Sequence, residues 1–295
     1  MSDRRAFLSG IAATALISAC RPASEVTLAP TESPMSTLPV LFVGHGSPLN
    51  AIADNAWAEG FSSLGAALPR PTAILVISAH WESRGTLLTG SPWPETIHDF
   101  RGFPTALHEM QYPAPGAPEL AESIATTLKA ERAKVSGSRG LDHGCWAVLC
   151  RMFPAADIPV LQLSLDRNLS PAQHLALASR LAGLREQGVL VIGSGNIVHN
   201  LPDAIGRKRA RDTATPDWAA TYDAEIAAAL EQHDDGAILD RAPDISVSGR
   251  MSHPTAEHWL PLLYAMGAAT GLERVDHPIT GFDWGSISMR SVRWS

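Results

Sequence analysis

The chain has little cysteine, three residues in 295. Cys145 and Cys150 lie five apart on a predicted helix over Cys145–Phe153. That spacing puts them on neighbouring faces and disfavours pairing, which excludes a disulfide framework and leaves two buried thiols. Net positive charge is also missing: 23 Lys and Arg face 30 Asp and Glu, for a formal charge of −7. Without a basic footprint, nucleic acid is set aside as a partner. Absent too are a His-Glu-x-x-His pair, a Cys-x-x-Cys pair, a Gly-x-Ser-x-Gly elbow and a phosphate-binding glycine loop. Gly193-Ser194-Gly195 matches a dinucleotide fingerprint only weakly, since no glycine stands at the third position. No internal repeat is evident. What is present is the composition of a folded globular protein, 45% hydrophobic with a mean hydropathy of +0.01. The length suits one large domain or two small ones.

The amino terminus reads as a leader. Asp3-Arg4-Arg5-Ala6-Phe7-Leu8 precedes an apolar stretch, Ile11 to Ala19, that is too short to span a bilayer. The paired arginines resemble a twin-arginine export signal, which carries proteins already folded. Leu16-Ile17-Ser18-Ala19-Cys20 resembles a lipoprotein cleavage box, with Cys20 as the acylated first residue; the plainer alternative is an ordinary cleaved signal. The expectation is an export signal over residues 1–20, a Pro/Ser/Thr-rich tether over 21–37 and a catalytic domain over 38–295. The protein would then be periplasmic or membrane-anchored, touching the membrane only through Cys20.

From Pro39 onward, short apolar runs alternate with helical patterns. Val40-Leu41-Phe42-Val43 is a predicted buried strand that ends in Gly44-His45-Gly46. Ala73 to Ala79 is a second and ends in His80-Trp81; Pro159 to Leu165 is another. Val189 to Asn196 ends in small residues and leads to His199. Helices are predicted over 54–68, 119–131, 171–187, 217–231 and 259–269, with a last strand over 286–292. Residues 82–118, rich in Pro, Gly and aromatics, read as a functional covering loop, and 234–250 as irregular. The fold class that follows is α/β: a single layered domain whose central, mostly parallel sheet, mixed at its edge, is flanked by helices.

Eleven histidines are not by themselves a signal. A lone histidine at a strand end is more often structural than a ligand. Here His45, His80 and His199 all follow buried strands in Gly-, Ser- or Ala-rich turns, at the edge where open α/β sheets place their sites. That repetition suggests a shared metal site, and imidazole suits zinc and iron(II). Residue types and spacing alone stop at an α/β metalloenzyme of unknown reaction.

Several stretches carry the reading further. In order they are Gly44-His45-Gly46-Ser47-Pro48, Ser78-Ala79-His80-Trp81, Ile97-His98-Asp99-Phe100, Tyr112-Pro113-Ala114-Pro115-Gly116, Asp142-His143-Gly144, Gly195-Asn196-Ile197-Val198-His199-Asn200-Leu201 and Pro254-Thr255-Ala256-Glu257-His258. Together they resemble the class III extradiol ring-cleavage dioxygenases, most closely the branch called 4,5-DOPA extradiol dioxygenases. The likeness runs from about Pro39 to the carboxyl terminus and leaves out the leader, which is unusual for a family expected in the cytoplasm.

The resemblance implies that His45, His80 and His258 bind the metal. The wider class uses a carboxylate as third ligand, so the adjacent Glu257 is the other candidate, and the branch favours His258. His199 would be the acid/base group, close enough to serve as a fourth ligand to zinc. His143 would stand by the substrate oxygens or ring. The implied cofactor is Fe(II), with Zn(II) expected in purified protein, and the implied partners are a small aromatic diol and O2. Two rival readings are a zinc-dependent hydrolase on the same scaffold and a non-catalytic metal-binding lipoprotein. For His98 and Asp99 a loop-ordering hydrogen bond and a substrate contact are both open. His253, His277, His233, His174 and His108 are taken as structural or surface residues. Trp81, Trp93, Phe103 and Tyr112 could form an aromatic wall, though aromatics at this density more often pack a core; Arg84 or Arg101 could meet a substrate carboxylate, though a solvated surface role is the commoner one.

Overall fold

Along the first strand, β1 (Val40–Gly44), successive side chains enter two different cores: Val40 and Phe42 one, Leu41 and Val43 the other. This period-2 division of an all-apolar strand requires a sheet covered on both faces. The computed structural model describes residues 37–295 and shows such a sheet. The predicted export signal, and the tether as far as residue 36, lie outside the described residues. Among the described residues no helix is long and apolar enough to cross a membrane.

The remaining strands are β2 (Ala73–Ser83), β3 (Leu87–Thr89), β4 (Lys134–Ser136), β5 (Val160–Asp166), β6 (Val189–Gly195), β7 (Val275–Ile279), β8 (Phe282–Asp283), β9 (Ile287–Ser288) and β10 (Ser291–Trp294). Eight of these ten strands, β1 included, form one sheet in the order β4-β3-β5-β2-β6-β1-β10-β7. The centre, β5-β2-β6-β1, is parallel, while β10 and β7 add antiparallel strands at one side and β3 pairs antiparallel with β5 at the other. The helices are α1 (Ala56–Ala66), α2 (Thr105–His108), α3 (Pro118–Thr127), α4 (His143–Met152), α5 (Pro171–Ser179), α6 (Leu201–Ala210), α7 (Asp217–Glu231), α8 (Asp235–Leu239), α9 (Val247–Ser252) and α10 (Leu260–Ala268). One face of the sheet is covered by α1 and α4 through Phe61, Leu64 and Trp146, the other by α5, α7 and α10 through Leu177, Ile226 and Leu262. This is the layered α/β domain expected, with a mixed sheet.

Four expectations change in detail. The covering loop contributes β3 to the sheet, so only its second half is free to cover anything. The predicted helix over 171–187 ends as an α-helix at Ser179 and continues as a 3-10 helix over Ala182–Gln187. Residues 234–250 contain α8 and the start of α9, each short and capped by its own side chain, Asp234 and Ser246. The last predicted strand divides into β9 and β10 in different sheets, because Arg290 turns away to meet the buried Asp223 at 2.7 Å. Cys145 and Cys150 are free thiols, Cys145 buried and Cys150 half-buried.

His174 on α5 is a structural histidine, as expected, with Nδ1 2.9 Å from the Tyr264 hydroxyl. Burial, opposed by Asp166, pulls its imidazole down to about 4. The unfolded chain takes up this proton near pH 6.5, whereas the folded protein resists until about 4. The contribution to stability is therefore whole above pH 6.5 and is lost as the pH falls through that window, at a cost of about 2–3 kcal/mol by pH 4.5. Urea unfolding at pH 7 and 4.5 should show a shallower loss in His174→Gln; an identical loss would remove His174 from the acid sensitivity.

Candidate active site

Because β1 and β2 both run parallel to β6, their carboxyl ends open on one edge, and the histidines gather there. His45 follows β1 directly and extends its ladder, donating from its amide to the Gly195 carbonyl at 3.0 Å. His80 does not follow a strand as expected but lies inside β2. The pairing of β2 with β5 shifts register between Ile77 and Glu82, and this bulged stretch carries His80 toward the cavity. His258 ends a 3-10 helix, Ala256–His258, that leads into α10. Its carbonyl accepts from the Asn196 amide at 2.9 Å, a close approach that depends on Gly195. A Cβ on Gly195 would lie 2.2 Å from that oxygen. The Gly193-Ser194-Gly195 stretch thus has a packing role: it lets the His258 segment rest on β6.

The rings of His45, His80 and His258 form a nearly equilateral triangle, with centroids 5.1, 5.2 and 4.9 Å apart. The hydrogen bonds behind them set which nitrogen faces inward. Ser194 Oγ donates its one proton to the Gly144 carbonyl at 2.6 Å, so it accepts from His45 Nδ1 at 3.0 Å. Glu257 Oε1 accepts from His258 Nδ1 at 3.0 Å and from the Thr255 hydroxyl at 2.9 Å. Both histidines are left with an Nε2 lone pair, and His45 Nε2 lies 3.2 Å from His80 Nε2. Backing a ring through its outer nitrogen is how proteins orient imidazole toward a metal. All three rings are held neutral. Burial, joined by the neighbouring histidines, takes His45 and His258 well below the ordinary range and His80 to about 4. Unprotonated, convergent imidazoles fit a divalent transition metal.

His199 and His143 complete the cluster. His199 stacks on His258, with centroids 3.5 Å apart and planes 5° from parallel, and burial is the main cause that lowers it to about 3. His143, the first residue of α4, lies with its ring centroid 3.8 Å from that of His80. Candidate ligand atoms fall into two groups, His45/His80/His143 and His199/Glu257/His258, each spanning less than 4.8 Å. Asp142 anchors this region. It is buried, caps α4, and accepts from Ser78 Oγ at 2.6 Å, Gln162 Nε2 at 2.8 Å and Arg139 Nη2 at 3.1 Å. A Cβ on Gly144 would stand 2.4 Å from Ser78 Oγ and 3.0 Å from His80 Cδ2. Gly144→Ala should therefore displace His80 and weaken metal binding about tenfold or more, a factor of about 1.4 kcal/mol, within the usual cost of overpacking. A metal titration that gives the wild-type affinity would show the site to be more pliant than this.

The rings open into a cavity of about 690 Å³. Phe103 and Arg101 line it, whereas Trp81, Trp93, Tyr112 and Arg84 do not. Tyr112 is buried, with its hydroxyl on the Phe153 carbonyl at 3.1 Å; Trp93 is 70% exposed elsewhere. The aromatic wall is instead Phe100, Phe103 and Trp284, with Leu201, Ile205 and Lys208 of α6 beside it. Lys208 sits over the Trp284 ring at 4.2 Å. The sequence reading missed α6, although Asn200 as cap, Pro202 in the first turn and three basic residues in the last are its start and stop signals. His253 is structural: its Nε2 donates to the Asn196 carbonyl at 3.0 Å, behind the cluster. His98 orders its loop through the Met110 carbonyl at 2.9 Å. Asp99 bonds to His143; burial raises its carboxyl, and the His143 hydrogen bonds outweigh this and bring it to about 2.

Known proteins resemble this chain over most of its length. The family model described as the catalytic LigB subunit of aromatic ring-opening dioxygenase matches residues 40–283. The chain is 43% identical over 263 residues to a 4,5-DOPA dioxygenase extradiol of Escherichia coli K12, covering 87% of this chain and 94% of the relative. It is 37% identical over 268 residues to the enzyme of that name from Beta vulgaris, covering 86% and 95%. Among solved structures, an uncharacterized protein of Escherichia coli K12 superposes with a TM-score of 0.74 at 38% identity, covering 88% of this chain and all of that one. These findings do not favour the hydrolase reading. With the model spanning most of the chain and the relatives aligned over nearly their full lengths, this chain belongs to the LigB family of aromatic ring-opening dioxygenases and is an extradiol ring-cleaving oxidoreductase.

Proposed function

We propose that this chain opens a small catechol carrying an anionic side chain, DOPA or a close analogue, using O2 at one ferrous ion held by His45, His80 and His258. The observation that carries the reading is the triangle of three neutral rings on the floor of a cavity whose walls are aromatic and whose lining includes Arg101 and Lys208. The names of the relatives supply the substrate class. When bound, Fe(II) supplies Lewis acidity toward the two ring oxygens and the redox link to O2, which Zn(II), acceptable to the same imidazoles, lacks. Glu257 orients His258 from behind in this assignment and is not itself the third ligand.

His199, neutral and beside His258, accepts a proton from a catechol hydroxyl and later returns it as a general acid. His143 faces the same oxygens. Phe100, Phe103 and Trp284 hold the ring by its faces and keep water out. The net change cleaves the ring bond beside, not between, the hydroxyl-bearing carbons and places both atoms of O2 in a semialdehyde acid.

The test is to load the protein with Fe(II) and add DOPA in air. One O2 should be consumed per yellow product whose mass equals DOPA plus O2, and the zinc-loaded protein should be inactive. No oxygen uptake with any catechol in a broad panel would end the proposal. Lys208→Ala should raise KM about tenfold for carboxylate-bearing catechols, a factor of about 1.4 kcal/mol, and leave 4-methylcatechol unchanged. Equal effects on both would show that Lys208 does not read the side chain. We further propose, from the leader sequence, that the protein is exported and anchored by acylated Cys20; Cys20→Ser should then move it from the membrane fraction to the soluble one.

A further inference from the structure

Asp99 does not line the cavity, yet it is held against a histidine that does. The segment around it is fastened at several points. Ile97 donates its amide to the Leu141 carbonyl at 2.7 Å and accepts from Trp146 Nε1 at 2.8 Å, and His98 is tied to Met110. These contacts put the Asp99 carboxylate opposite the start of α4. A single oxygen, Oδ1, lies 2.8 Å from His143 Nδ1 and 3.1 Å from the His143 amide. The ring is further boxed in by Phe100, edge-on with centroids 5.6 Å apart, and by His80.

An ionised carboxylate only accepts hydrogen bonds, so His143 Nδ1 must carry the proton. Nε2 is then left as the unprotonated nitrogen, and it is the one not engaged by Asp99 on a ring that faces the cavity. We infer that Asp99 is a positioning residue of the ring-cleavage reaction, acting through His143: it fixes the Nδ1–H tautomer so that Nε2 meets a substrate hydroxyl as an acceptor. A ring free to turn or change tautomer would present an N–H instead, opposed to the hydroxyl proton. The other carboxylate oxygen, Oδ2, is 3.7 Å from His80 Nδ1, beyond hydrogen-bonding range, so the tie is to His143.

This inference rests on the ring-cleavage reading, and its first test does not need turnover. Long-range 15N–1H NMR of the zinc-loaded protein, with His143 assigned by comparison with His143→Gln, should show Nδ1–H and a bare Nε2. An Nε2–H tautomer in the wild type would overturn the proposal by itself, whatever the enzyme cleaves. In the iron-loaded enzyme Asp99→Ala should lower kcat by about 10–100-fold, the usual loss when a partner behind a working histidine is removed, with iron content unchanged. Asp99→Asn keeps an accepting oxygen and should recover part of that rate. The double variant Asp99→Ala/His143→Ala should be no slower than His143→Ala alone. Losses that multiply in the double variant, or iron lost in step with kcat, would overturn the assignment to His143.

Discussion

His199→Gln should lower kcat by about 10²–10⁴-fold while the protein still binds one iron, the range expected when a general acid–base is removed from a site that keeps its other groups. The iron should stay because His45, His80 and His258 are oriented by Ser194, the β2 bulge and Glu257, none of which uses His199. Glutamine preserves much of the volume that stacks on His258 at 3.5 Å, so the change tests the proton carrier and not the packing. Stopped-flow mixing with a catechol would show normal binding and stalled ring opening. A rate within threefold of wild type would remove His199 from proton transfer.

The second large effect separates two neighbours. His258→Ala should abolish tight metal binding and with it all turnover, because one of three inward nitrogens is gone. Glu257→Gln should cost about 10–100-fold in affinity, since the amide still accepts from His258 Nδ1 without the charge. Metal titration by calorimetry ranks the two directly. If the glutamate variant were the worse, the carboxylate would be the ligand and the ring its support.

The central strands were legible because their apolar runs are buried on both faces and flanked by Gly or Pro, and the helix over 217–231 because a periodic apolar face follows Pro216. β7 was not: Val-Asp-His-Pro-Ile is polar, half-exposed and interrupted by a proline, all of which an edge strand tolerates. The helix α6 buries little besides Ala204, and so its start and stop signals had no apolar stripe to support them. In the site, the positions of His45 and His258 follow from motif order, but the partner of each outer nitrogen does not. Ser194 reaches His45 only after β1 and β6 pair, Gly144 in turn meets Ser194 from α4, and no spacing in the chain announces either contact. The cavity walls were only partly legible for a similar reason. Phe100 and Trp284 come from distant loops, while Tyr112 and Trp81, equally aromatic, are consumed by packing.

The pairing of β1 with β10 joins Val40 to Trp294, almost the two ends of the described chain, and β1 also needs β6 from the middle. Contacts of such high sequence separation close late and make a domain of this kind slow to fold. While the polypeptide is emerging from the ribosome it therefore displays histidines that have no fixed relation to one another. Any cation captured then would meet the wrong set of nitrogens, so productive loading has to wait until β1, β2 and the His258 segment have met on β6.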